Sequence, residues 1–210
     1  MKDLKESLRH GLTQLCLKLD EYQIDQLIKY LQLIVKWNKA YNLTSIDDVS
    51  QIINLHLLDS LAIIPHLQGD RWIDIGTGAG LPGIPLAIAC PTKDITLLDS
   101  NGKKTRFLFQ VILELKLSNV RVENKRAEDY QPEIGFDGIL TRAVTSLDKM
   151  VVSTEHLLNV NGKFWAMKGV YPKEELSELR KGYKVLGINK IEIPGSESER
   201  HLVELARSDQ

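Results

Sequence analysis

The sequence predicts an α/β fold: a seven-stranded mixed sheet whose last strand pair runs antiparallel, behind an N-terminal helical extension. Three observations predict it. From residue 71 onward, short apolar runs alternate with helix-like stretches, the pattern of parallel strands joined by crossover helices. The stretch RWIDIGTGAGLPG, residues 71–83, passes from a buried strand through glycines 76, 78, 80 and 83 into an apolar helix. Two β-like runs close the chain, 184–193 and 201–207, joined through a Pro194-Gly195-Ser196 turn and a polar loop. At 210 residues this is a single domain, with the helical extension in 1–66 and the α/β core in 67–210.

Within 1–66, Leu4, Leu8, Leu12, Leu15 and Leu19 recur at helical spacing. A second helix carries Ile24, Leu27, Ile28, Leu31, Ile34 and Val35 on one face, with Asp20 as its cap. Residues 37–44 read as a polar and aromatic break, and a third helix is expected from about Asp47, through Ile52, Ile53, Leu55 and His56 to Asp59-Ser60-Leu61. The segment reads either as a lid over a cofactor cleft or as a packed extension, and His56 reads first as a structural histidine. In the core, the strand at 72–75 leads to a helix at 84–89 and a second strand at 95–99. Ser100 is the expected cap of a helix burying Phe107, Leu108, Val111, Ile112 and Leu115. Further strands are expected at 120–124, 137–141 and 162–169, and a charged helix near 173–181.

The charges nearly cancel, 27 basic against 28 acidic, so net charge predicts no polyanion partner. Their distribution is more informative. Residues 100–126 hold seven basic side chains, among them Lys103, Lys104 and Arg106, against two acidic ones. Three of these cations stand in the first turns of a predicted helix, where the dipole disfavours them by about 0.3–1 kcal/mol each. A phosphate backbone and a solvated face explain this equally well. Cys16 and Cys90 lie far apart in predicted helices, without CxxC or metal spacing, and read as small core residues in a reducing cytoplasm. No signal core and no 18-residue apolar run is present, which excludes a spanning helix. A soluble monomer without a metal is expected.

Strand, glycine turn and helix bring backbone close to a ligand and aim a helix N-terminus at it. Asp99 ends the second strand about 20 residues beyond the turn, where a carboxylate takes the hydroxyls of a ribose. Gly78-x-Gly80-x-x-Gly83 satisfies the dinucleotide fingerprint literally, but the register argues against it. The strand ends at Ile75, Gly76-Thr77-Gly78-Ala79-Gly80 comes first, and Pro82 and Pro85 then delay the helix. Asp74-x-Gly76-x-Gly78-x-Gly80 instead resembles the cofactor loop of class I S-adenosylmethionine-dependent methyltransferases, whose Rossmann-like sheet also ends in an antiparallel pair.

Further blocks make the resemblance narrower: Trp37-Asn38 with Asn42-Leu43-Thr44, His56 with Asp59-Ser60-Leu61, and Leu98-Asp99-Ser100 with Lys103-Lys104. Arg126-Ala127-Glu128, Thr141-Arg142-Ala143 and Met167-Lys168-Gly169 complete the set. Their order resembles the bacterial 16S ribosomal RNA methyltransferase G family, also called glucose-inhibited division protein B, across nearly the whole chain. The resemblance implies methyl transfer from S-adenosylmethionine to guanine N7 in the decoding region of 16S ribosomal RNA, in free RNA or the small subunit. It implies cofactor contacts at Gly76, Leu81, Ala127, Glu128 and Arg142, to which the reading of the loop adds Gly78 and Asp99. Arg142 and Lys168 are the candidate catalytic residues. Lys103 and Arg200, with Arg142 and Lys168, are candidates to touch RNA, and Lys104 joins them through the basic stretch.

Guanine N7 carries a lone pair and no proton at neutral pH, so its methylation needs alignment and no general base. The sequence agrees: after the fourth strand it has neither the Asn/Asp-Pro-Pro-aromatic motif of amine methylation nor a cysteine for pyrimidine carbon. A cation touching N7 would oppose the charge that develops there. Arg142 is therefore assigned to the cofactor carboxylate, a phosphate or guanine O6. N7 faces the deep groove of A-form RNA, so the target must be looped or splayed out, with Trp37, Tyr41 or Trp165 as possible stacking partners. A ribose 2′-O-methyltransferase is the main rival, and suits Lys168, but Thr141-Arg142 stands where its aspartate is expected. A small-molecule methyltransferase and a non-catalytic nucleotide-binding regulator are the others.

Overall fold

The computed structural model describes residues 2–44, 52–142 and 146–208. The expected start of a helix near Asp47, and Ala143 and Val144 after the fourth strand, lie outside them. The seven strands are β1 (Arg71–Ile75), β2 (Asp94–Leu98), β3 (Val120–Glu123), β4 (Phe136–Arg142), β5 (Leu158–Lys168), β6 (Tyr183–Lys190) and β7 (His201–Arg207). They lie in the order β3-β2-β1-β4-β5-β7-β6. The first five are parallel, and β7 runs antiparallel between β5 and β6. After β1 the chain winds outward to β3, then returns to place β4 on the other side of β1. The crevice at the carboxyl ends of β1 and β4 is thus a topological switch point, where open α/β sheets hold ligands.

Helices α1 (Lys2–Gln14) and α2 (Glu21–Tyr41) come first. A π-helical turn, Ile53–Leu58, then continues into Asp59–Leu61, together α3. Next are α4 (Gly83–Ala89), α5 (Gly102–Leu115), α6 (Leu147–Thr154) and α7 (Lys173–Ser177). Asp20 and Gln23 close α2 in a reciprocal capping box. The helix then runs through the expected break to Tyr41, because no proline or glycine stops it, and ends where Asn42 turns left-handed at φ 49°. On α5 the cap is Asn101, not Ser100: its side chain accepts from Lys103 N at 2.9 Å. Helix α6 was not expected, although Leu147, Met150, Val151 and Thr154 have helical spacing and are buried. Strand β5 begins at Leu158, earlier than its apolar run, through an irregularity opposite Phe136 and Gly138. Cys16 is exposed just beyond α1, at φ 56°, and is not a core residue.

Along β1, Trp72 belongs to one apolar cluster, while Ile73 and Ile75 belong to the other, as period-2 alternation requires. The first cluster joins α1, α2 and α3 with α4, α5 and the near face of the sheet. The second packs α6 against the far face. No helix among the described residues is long and apolar enough to cross a membrane.

Candidate active site

The loop after β1 is shaped by its glycines. Gly76 and Thr77 both donate to Leu98 O, at 2.9 and 3.1 Å, tying the loop to the end of β2. At Gly78 φ is +61°, and among the described residues a β-carbon would meet only Gly76 O and Lys104 Nζ, each 3.9 Å away. That backbone is open to a ligand. Gly80, also left-handed, differs: a β-carbon there would lie 2.6 Å from Ile84 Cγ1 and 2.8 Å from Leu108 Cδ2, so it serves packing.

Two carboxylates brace this loop. Asp99 is buried at the end of β2, where Oδ2 accepts from Gly78 N at 2.9 Å and Oδ1 from Asn101 N at 2.8 Å. Each oxygen keeps acceptor capacity beyond the one amide it receives. Asp74 is fully buried in β1, and its Oδ2 accepts from Thr77 Oγ1 at 2.6 Å and Gly83 N at 2.9 Å. Its Oδ1 has no hydrogen-bond partner among the described residues. Burial pushes its carboxyl up to about 6, against the opposing pull of those two donors and of Arg142.

The remaining expected residues also stand at carboxyl ends of strands. Ala127 and Glu128 form a short 3-10 turn after β3, Arg142 ends β4 and Lys168 ends β5. Leu81 is buried in the loop before α4. Lys103 is exposed on the first turn of α5, and Lys104 Nζ lies 3.9 Å from Asp99 Oδ2. Lys104 thus borders the glycine loop at Gly78 rather than the arginines.

Arg142, Lys168 and Arg200 converge instead on a cleft of about 370 Å³. At its base Asp59, 2 % exposed, receives Arg142 Nη1 at 3.0 Å on Oδ2 and Arg200 Nε at 2.9 Å on Oδ1. His56 also lines the cleft: its Nδ1 is 3.4 Å from Arg142 Nη2 and its Nε2 is 2.8 Å from Thr44 Oγ1. Burial, with Arg142's charge, lowers the imidazole to about 4, so it is neutral near pH 7. Lys168 Nζ is 2.7 Å from Glu175 Oε2, which also accepts from Leu147 N. Among the aromatic candidates, Trp165 is wholly buried and Trp37 packs on Tyr41 and Phe107. Asp59 and Glu175 were not read as site residues. For Asp59 a signal exists, a carboxylate inside the apolar run Leu57-Leu58-Asp59-Ser60-Leu61; for Glu175 there is none.

The family model for rRNA small subunit methyltransferase G (GidB) matches residues 23–203, most of the chain. The chain belongs to that family. A ribosomal RNA small subunit methyltransferase G from Saccharophagus degradans is 53% identical over 194 residues, spanning 92% of this chain and 87% of that protein. One from Pseudomonas syringae pv. tomato is 47% identical over 203 residues, spanning 97% and 96%. The fold matches a SAM-dependent methyltransferase from Aquifex aeolicus with a TM-score of 0.58 at 15% identity, over 78% of this chain and 96% of that one. That last likeness concerns the fold alone. Membership in the methyltransferase G family and the seven-stranded class I sheet expected from the sequence are both borne out.

Proposed function

We infer that this protein transfers a methyl group from S-adenosylmethionine to guanine N7 of 16S ribosomal RNA. One observation carries the reading. The open backbone at Gly78, held by Asp99, and the Arg142 cleft lie at the carboxyl ends of neighbouring strands around the switch point. The residues present fit the cofactor. Gly78 leaves room for it, Asp99 has acceptor capacity for two ribose hydroxyls, and Asp74 Oδ1 is a buried acceptor in want of a donor. Gly76, Leu81, Ala127 and Glu128 complete the surround. When bound, S-adenosylmethionine supplies an electrophilic methyl group on a cationic sulfur.

The chain's own groups suit a nucleophile that needs no deprotonation. The catalytic contribution is then alignment and charge balance. Arg142 serves the base through O6 or an adjacent phosphate and stays off N7, and Asp59 offsets its charge. His56, neutral and bonded to Thr44, packs beside Arg142. Lys168, paired with Glu175, is poorly placed to be the free lysine that ribose 2′-O transfer uses. Lys103 contacts RNA from the first turn of α5. Mass mapping of nucleotides, after reaction of small subunits lacking the mark with purified protein and labelled cofactor, tests the reading. One methyl on a guanine base at N7 is expected; label confined to ribose or to protein refutes it.

A further inference from the structure

We propose that Asp59 is a positioning residue that holds Arg142 and Arg200 as a two-armed receptor for one backbone phosphate beside the target guanine; this rests on the reading that the chain acts on ribosomal RNA. The three residues come from α3, the end of β4 and the segment between β6 and β7, and nothing local brings them together. Each Asp59 oxygen takes a different arginine, at 3.0 and 2.9 Å. A single arginine would already neutralise a buried carboxylate, whose desolvation is costly. The second leaves the cluster with one surplus positive charge. Lys168 adds none, because Glu175 balances it. One surplus charge matches one phosphodiester.

Both arginines keep donors beside the same cleft. Arg142 Nη1 also donates to Leu55 O at 3.2 Å, and Arg200 Nη1 to Glu199 O at 2.8 Å. Those bonds fix both guanidinium planes, while Arg200 Nη2 has no partner among the described residues. Both arginines line the open cleft, with side chains 22% and 25% exposed. Guanidinium groups pre-set in this way match a phosphate's oxygens. A nucleotide splayed from its helix carries its own phosphates to the rim of the pocket that takes the base.

Co-sedimentation with small ribosomal subunits lacking the mark, over a range of salt concentrations, tests this through binding rather than turnover. Arg200→Gln, which removes the surplus charge, should weaken binding about tenfold and make the slope of log K against log salt shallower by about 0.7, one phosphate's worth on a single strand. Asp59→Asn keeps both guanidinium charges but frees their planes, so it should weaken binding without making the slope shallower, and Asp59→Glu should restore part of the affinity. Added to Asp59→Asn, Arg200→Gln should cost much less affinity than it does alone, an outcome a merely structural role would not give. Calorimetric affinity for S-adenosylmethionine should stay within twofold in all three variants. An unchanged salt slope in Arg200→Gln overturns the proposal. So does a parallel loss of cofactor affinity, which would assign the arginines to the cofactor carboxylate. Should Asp59→Asn fail to fold, Arg200→Gln decides by the same slope. A wild-type protein that binds subunits but places no methyl on guanine refutes the proposed function and leaves this test standing.

Discussion

Asp74 and His56 are buried groups whose folded titration is displaced in opposite senses. His56 drops from 6.5 to about 4, so between those values the unfolded chain binds the extra proton and stability is lost as pH falls. Asp74 rises from 3.8 to about 6, so in its window the folded chain holds the extra proton and stability is lost as pH rises. Each displacement is worth about 3 kcal/mol at most, and the windows overlap, so the two nearly cancel between pH 4 and 6. Relative to wild type, Asp74→Asn should therefore lose stability as pH falls from 6.5 to 4, and His56→Gln should gain it from pH 6 to 4. Urea midpoints across that range give both slopes, and variants that track wild type would show that neither shift exists. Asp99 belongs to the same scale. Asp99→Ala removes the acceptor for Gly78 N and should weaken cofactor binding by about 1–3 kcal/mol in calorimetry; equal affinity would take it out of the site. Asp99 was legible because its strand and the glycine turn are close in sequence. Asp59 was not, since its partners stand 83 and 141 positions away and only the closed sheet brings them near.

Single elements show the same division between local and distant causes. The Asp20 cap and the apolar stripe of α2 follow from residues within a few turns, and both were legible. The end of α2 was misplaced because aromatic and polar side chains weaken a helix without terminating it. Helix α6 is short, and its apolar face makes sense only against Phe136 and Phe164 on the far side of the sheet. The cations opening α5 divide in the structure. Lys104 faces Asp99 at 3.9 Å, which offsets part of its conflict with the helix dipole, whereas Lys103 is exposed. Lys103→Ala should thus lower the salt dependence of RNA binding by about 0.7 in slope and leave cofactor affinity alone. Lys104→Ala should disturb the cofactor side as well, through Asp99. Filter binding and calorimetry on both variants separate these outcomes, and an unaltered slope for Lys103→Ala would return that lysine to the solvated face.

For the whole molecule the question is whether residues 1–66 are an appendage or part of the fold. Their apolar side chains cover the near face of the sheet: Leu27, Tyr30, Leu31 and Ile34 share one cluster with Ile84, Leu97, Phe107 and Leu108. Polar bonds cross the same boundary. Tyr30 Oη donates to Ala79 O at 2.7 Å, inside the glycine loop, and Gln26 Nε2 donates to Leu115 O at 2.7 Å at the end of α5. Removing the extension would expose that apolar face, strand those carbonyls and release Arg142 from Asp59. The full chain should then unfold in one transition, with far- and near-ultraviolet circular dichroism coincident, as one shared core requires. A fragment of residues 67–210 should retain β structure without a cooperative melt and without measurable S-adenosylmethionine binding. If that fragment melted cooperatively and bound the cofactor, the helices would be a lid on a finished domain, and the site's arginines would owe their placement to the sheet alone.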